Sequence, residues 1–327
     1  MKPHGSIPSD FLLVLDQCTQ SRLKADCPKL PFQQNCSTEA FSKIRETLID
    51  AQLLANILGA GGRALVDYFV ALRCLNGYVY ALDERVEGYS VNGERHSALA
   101  DRFSISVVEC LSTFDSLSTW LEEIKAWTIR HKDYTLREIE GQALVRANAR
   151  FEENYFTALF KSMDVEYIDT GFYGQLLMSM FGTPALCAGP TLLIWNVRSR
   201  TLDIFDGLID LAQDVANQNL SPVGLYVYGV ARVEEKKVIS MAFKNSRFEG
   251  QVRKVFQFYC SELLTTYKSL LLNLTSDSSL STVAKLRTLR IIDIMETFLT
   301  QPELGPEIEK YYLEETQLIF DLQGCQN

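Results

Sequence analysis

Residues 201–219 read Thr201-Leu-Asp-Ile-Phe-Asp206-Gly-Leu-Ile-Asp210-Leu-Ala-Gln-Asp214-Val-Ala-Asn-Gln-Asn219. Asp206, Asp210 and Asp214 recur at i, i+4 and i+8, so a helix places them in one stripe over two turns. The residues between them are mostly apolar, which gives the helix flanks suited to burial. Three carboxylates against a buried face are costly unless cations compensate. Metal ions supply that compensation; the alternative is an exposed, amphipathic face whose aspartates repel one another.

Outward from this stretch, proline placement organises the chain. The nine prolines leave 32–183 and 223–301 free of proline. Long proline-free tracts with apolar residues at i, i+3, i+4 and i+7 predict helices over 39–58, 63–88, 97–130, 134–163, 200–218, 247–272 and 281–300. Ser37-Thr38-Glu39 offers a helix start, and Thr135 with Glu138 matches a capping box. The valines and tyrosines of 224–241 also suit a short strand pair. The fold class expected is therefore all-α, with residues 1–35 as an N-terminal segment and 36–327 as one large helical domain.

Composition narrows the function. The net charge of -9 argues against nucleic acid as a partner, because phosphate backbones recruit basic stripes. Eight cysteines occur without a C-x-x-C pair, and they are expected to be reduced thiols of a cytoplasmic protein. The first residues lack the layout of a signal peptide. Residues 170–197 carry no charge, but two prolines and four glycines make them a broken, buried helix rather than a membrane span. Only His4, His96 and His131 are present, so a histidine-based triad or zinc hydrolase is disfavoured. Gly59-Ala-Gly-Gly62 follows a helical pattern rather than a strand, which fails the context test for a dinucleotide fingerprint.

A second acidic group closes the 63–88 pattern: Tyr78-Val-Tyr-Ala-Leu-Asp83-Glu84-Arg-Val-Glu87. Asp83 and Glu87 are one turn apart and share a face with Asn76 and Tyr80. A hard divalent ion would relieve their repulsion; a solvated helix end is the alternative.

Together these residues resemble the class I isoprenoid (terpene) synthase superfamily. The Asp206, Asp210, Asp214 stripe is similar to the second metal motif of terpene synthases. Asp210-x-x-x-Asp214 also looks like the second acidic motif of squalene and phytoene synthases, and Asp83-Glu84-Arg-Val-Glu87 like a variant of the aspartate-rich first motif. The segments 40–45, 68–83 and 208–214 are similar to the tetraprenyl-β-curcumene synthase family, with Gly77 and Tyr80 at positions where that family would place acids. This shifts the first metal set to Asp83, Glu84 and Glu87.

The resemblance implies a helical bundle with a central apolar cavity and Mg²⁺ as cofactor. Asp83, Glu84, Glu87, Asp206, Asp210 and Asp214 become metal ligands, with Asp83, Glu87, Asp210 and Asp214 as the catalytic set. Arg73, Arg198, Arg200, Arg253 and Lys254 are candidates to grip a diphosphate. Tyr68, Phe69, Tyr80, Phe172, Tyr173, Phe181 and Trp195 are candidates to line the cavity. The implied reaction is ionisation of a prenyl diphosphate followed by cyclisation or elimination, a carbon–oxygen lyase step, with a peripheral membrane contact for product release. Two alternatives stay open: a head-to-head prenyl-coupling synthase of the squalene or phytoene type, and a non-catalytic helical interaction protein.

Overall fold

The computed structural model describes residues 9–27, 30, 62–88, 93–155, 190–275 and 279–300. Among these residues the chain is all-α, with helices, one 3₁₀ segment and short connections but no strand. They fall into two compact units, one within Met1–Leu136 and one within Arg137–Gly171 and Pro190–Glu315. The expected boundary at 35/36 and the expected helix at 39–58 lie outside the described residues, as does most of the charge-free segment. No described helix is long and apolar enough to cross a membrane.

The first unit contains α1 (Ser9–Asp26), α2 (Gly62–Gly88), α3 (Gly93–Leu111), a 3₁₀ segment (Asp115–Trp120) and the start of α4 (Leu121–Arg146). Helix α2 packs against α1, α3 and the 3₁₀ segment. Its middle is buried almost without interruption from Val70 to Tyr78, which makes it the centre of the unit rather than an amphipathic cover. A single helix over 97–130 is not formed. The chain leaves α3 at Leu111 and turns through Ser112–Phe114, where Ser112 and Thr113 hydroxyls donate to the Glu109 and Cys110 carbonyls. Those bonds satisfy carbonyls that an ending helix exposes.

The capping box expected at Thr135 is also absent, because α4 runs through that position without a break. The Thr135 hydroxyl donates instead to Lys132 O at 3.0 Å and accepts from His96 Nε2 at 2.8 Å. With its single hydrogen committed to the carbonyl, Thr135 makes His96 the donor through Nε2–H, and burial lowers the His96 pKa.

The second unit contains the remainder of α4 from Arg137, then α5 (Pro190–Ile209), α6 (Leu211–Asn217), α7 (Pro222–Val230), α8 (Val233–Lys244), α9 (Gly250–Asn273) and α10 (Ser279–Thr300). The strand pair expected over 224–241 is replaced by α7 and α8. Ser221 caps α7 by accepting from Gly224 N at 3.2 Å, and Pro222 occupies the first turn, where a missing N–H costs nothing. Val223 to Tyr228 are all buried, so the β-favouring residues there are a core helix, in which packing overrides propensity.

Gln142 of α4 pins the start of this segment. Its Nε2 donates to Leu220 O at 2.6 Å, and its Oε1 accepts from Leu220 N at 2.9 Å. The pair satisfies both buried backbone groups of one connecting residue across 78 positions.

Cys27 and Cys110 form a disulfide, which corrects the expectation that all eight cysteines are thiols. Their spacing carries no motif; α1 and α3 both pack on α2, and the tertiary fold brings Cys27 and Cys110 to a Cα separation of 5.2 Å.

Candidate functional site

Helix α5 begins at Pro190, one of the break points anticipated in the charge-free segment, with proline suited to the first turn. It packs against α7, α9 and most extensively α10. Ile194, Trp195, Asn196, Val197, Arg198, Arg200, Thr201 and Ile204 are all buried, while Ser199, Leu202 and Asp203 are half-buried, so most of its middle is enclosed. Two candidate diphosphate-binding residues, Arg198 and Arg200, are thus interior cations, 6% and 9% exposed. Arg198 Cζ lies 5.8 Å from the ring centre of Trp195, within cation–π range. Arg200 Nη1 donates to Asp203 Oδ2 at 2.7 Å. Burial around that carboxyl raises its pKa, against the opposing pull of Arg200. A third buried arginine, Arg287 at 5% exposure, lies on the partner helix α10, a position that sequence spacing did not single out.

The acidic stripe lies where α5 gives way to α6. Asp210 N donates to Asp206 O at 3.0 Å, and Asp214 N donates to Asp210 O at 2.8 Å. The i to i+4 ladder therefore passes through all three aspartates. Asp210 itself is the junction residue, with φ -86° and ψ -3°, a flattened conformation that re-aims the chain between the two helices. Asp206 and Asp210 are exposed and Asp214 is half-buried. Asp214 Oδ2 accepts from Ser221 N at 3.3 Å, so this carboxylate helps hold the start of α7. Gly207 lets α5 and α7 approach: a Cβ there would stand 2.7 Å from Ser221 Oγ. Among the described residues, no three His, Cys, Asp or Glu side chains converge as a metal-holding group.

The other candidates distribute as follows. Asp83, Glu84 and Glu87 sit in the last turns of α2, and their side chains lie outside the described residues, as does that of Phe69. This acidic group belongs to the first unit and the 206–214 stripe to the second. Arg73 is 2% exposed in the interior of α2; burial lowers its pKa to about 10, with the Cys74 sulfur pulling the other way. Tyr68 is wholly buried in the first unit's core and Tyr80 half-buried. Trp195 is buried beside Arg198 in the second unit. Phe172, Tyr173 and Phe181 lie outside the described residues. Arg253 and Lys254 are exposed on α9, and the Arg253 guanidinium covers the Phe248 ring at 5.3 Å.

One polar cluster in the first unit escaped the sequence reading. His96, Thr135 and His131 assemble beside Tyr78 and Trp127. The His131 and Trp127 rings stack at 5.3 Å, and the Tyr78 ring centre is 5.7 Å from that of His131. Burial, then the neighbouring His96, pushes the His131 pKa down to about 4. At 35 positions apart, the two histidines offered no spacing signal.

No protein-family model matches this chain, and no curated protein or solved structure matches it either.

Proposed function

We propose that this protein is a magnesium-dependent enzyme of the class I isoprenoid synthase type, acting on a prenyl diphosphate. One observation carries the reading: a single interior helix holds Arg198 and Arg200 buried at its middle and leads into the Asp206, Asp210, Asp214 stripe. Arg200 and Asp206 are six residues apart, about 9 Å of helix rise. Cations and carboxylates at that separation suit a ligand that is anionic at one end and metal-bridged at the other.

The donor set suits magnesium in kind. Asp206 and Asp210 are solvent-accessible hard-oxygen donors one turn apart, and magnesium commonly takes one or two carboxylates while keeping waters and substrate phosphates. When bound, it would supply charge neutralisation of the diphosphate leaving group. The chain's own residues do the rest. Arg198 and Arg200, held in low-polarity surroundings, address phosphate oxygens more strongly than surface cations do. Trp195 offers an aromatic face to positive charge. Asp214, held to Ser221 N, keeps the second half of the stripe in place. Cyclisation or elimination on one prenyl chain is the leading form of the reaction, and coupling of two chains the variant. The cytoplasm is the proposed compartment.

The experiment is incubation of the full chain with prenyl diphosphates of increasing length plus magnesium, measuring released diphosphate and the extracted hydrocarbon. A doubled carbon skeleton identifies coupling. Asp210→Ala should abolish release while leaving the fold intact, since the residue is exposed. Absence of release from every substrate overturns the enzyme reading.

A second reading, a non-catalytic helical interaction protein, is favoured by the exposure of Asp206 and Asp210. It expects no magnesium-dependent binding of inorganic diphosphate in calorimetry.

A further inference from the structure

Three sulfur atoms meet in the first unit. Cys27 follows the last residue of α1, Cys74 lies midway along α2, and Cys110 is in the last turn of α3. Cys27 and Cys110 form the disulfide, spanning 83 residues with Cα atoms 5.2 Å apart. The Cys74 Sγ lies 3.6 Å from Cys110 Sγ. All three residues are buried, at 5%, 0% and 5% exposure. Cys110 carries no hydrogen while it is in the disulfide, so Cys74 is the donor in this contact. The third thiol therefore rests against one of the two sulfurs that exchange chemistry attacks.

We propose that Cys27, Cys74 and Cys110 form an intramolecular thiol–disulfide switch, in which Cys74 takes the place of Cys27 on Cys110 and untethers the end of α1. The Cys74 thiolate attacks Cys110 Sγ. The Cys74–Cys110 bond forms as the Cys27–Cys110 bond breaks, and Cys27 leaves as a thiolate that takes up the proton Cys74 released. One disulfide and one thiol are present before and after, so the step consumes no oxidant or reductant.

The mechanical result follows from the packing. The native disulfide ties α1 to α3. The exchanged one ties α2 to α3, which already pack together. Near its C-terminal end α1 then keeps only non-covalent anchors: buried Thr19 and Leu23, the Arg22–Asp67 ion pair at 3.5 Å, and the Arg22 guanidinium 4.9 Å from the Phe114 ring centre. This inference is independent of the enzyme reading.

The test uses the full chain at alkaline pH under nitrogen, with no added thiol or oxidant. Samples are acid-quenched, alkylated with N-ethylmaleimide, digested with pepsin without reduction and mapped by mass spectrometry. The Cys27–Cys110 peptide is expected at the start. Over minutes to hours a Cys74–Cys110 peptide with alkylated Cys27 should accumulate. Trypsin cleavage after Arg22 and Lys24 should accelerate about tenfold in parallel, as α1 opens locally. Cys74→Ser should abolish both changes, and Cys18→Ser, an exposed thiol on α1, should abolish neither. Should Cys74→Ser fail to fold, the unsubstituted chain still decides. Persistence of Cys27–Cys110 as the sole link among the three, or no link among them at the start, overturns the proposal.

Discussion

Acidification should unfold the first unit through His131. In the native state this ring stacks on Trp127, faces Tyr78 and Tyr134, and has its Nε2 buried without a hydrogen-bond partner. A proton there would have no acceptor, and His96 nearby would add like charge. The native pKa is accordingly lowered from 6.5 to about 4. For a base whose folded-state pKa is depressed, the unfolded chain binds the proton first. The stabilisation is complete above the unfolded value and is lost as pH falls from there towards the folded one. Integrating the linkage relation between about pH 7 and pH 4.5 gives roughly 2.5 kcal/mol, reduced to about 2 kcal/mol because the residue is only half-buried.

The assay is urea unfolding, followed by tryptophan fluorescence, at both pH values for the native chain and for His131→Phe. Phenylalanine keeps an aromatic ring in the stack and cannot titrate. Carboxylates elsewhere titrate equally in both proteins, so the difference in pH sensitivity isolates His131. His131→Phe should match or exceed the native chain in stability at neutral pH, since it removes a buried unpartnered nitrogen, and should lose about 2 kcal/mol less on acidification. Equal losses for the two proteins would show that His131 does not carry the acid sensitivity.

Two further outcomes follow from the second unit. Gln142→Leu removes both partners of the buried Leu220 backbone and should cost about 3 kcal/mol, read as a lower urea midpoint with unchanged slope. Gly141→Ala would drive a Cβ into the Tyr155 hydroxyl and the Leu225 side chain; the hydroxyl donates to Arg137 O and cannot move without losing that bond. A loss of about 1–3 kcal/mol is expected in thermal unfolding.

The all-α character was legible from local chemistry. Long proline-free, periodically apolar tracts leave the backbone one economical way to satisfy its own hydrogen bonds, and 63–88, 247–272 and 281–300 emerge as Gly62–Gly88, Gly250–Asn273 and Ser279–Thr300. Over 224–241 the valines and tyrosines read as a strand pair, where the structure forms helices α7 and α8. Only tertiary packing decided between them, because a short apolar run has no periodicity to read and buried helices and strands look alike in it.

The same limit governs the candidate site. Spacing put Asp206, Asp210 and Asp214 on one stripe, and the hydrogen-bond ladder preserves that order. Their exposure, the flattened turn at Asp210 and the engagement of Asp214 with Ser221 depend on where α7 packs. Arg198 and Arg200 were candidates to grip a diphosphate only through the resemblance, with nothing in the sequence to mark them as buried, and it is the enclosure of α5 by its neighbours that makes them interior cations. The pairing of Cys27 with Cys110, the approach of Cys74, and the meeting of His96 with Thr135 join residues 36 to 83 positions apart. Contacts at such separations leave no local pattern, since they are set by which helix faces meet rather than by what any one stretch of chain prefers.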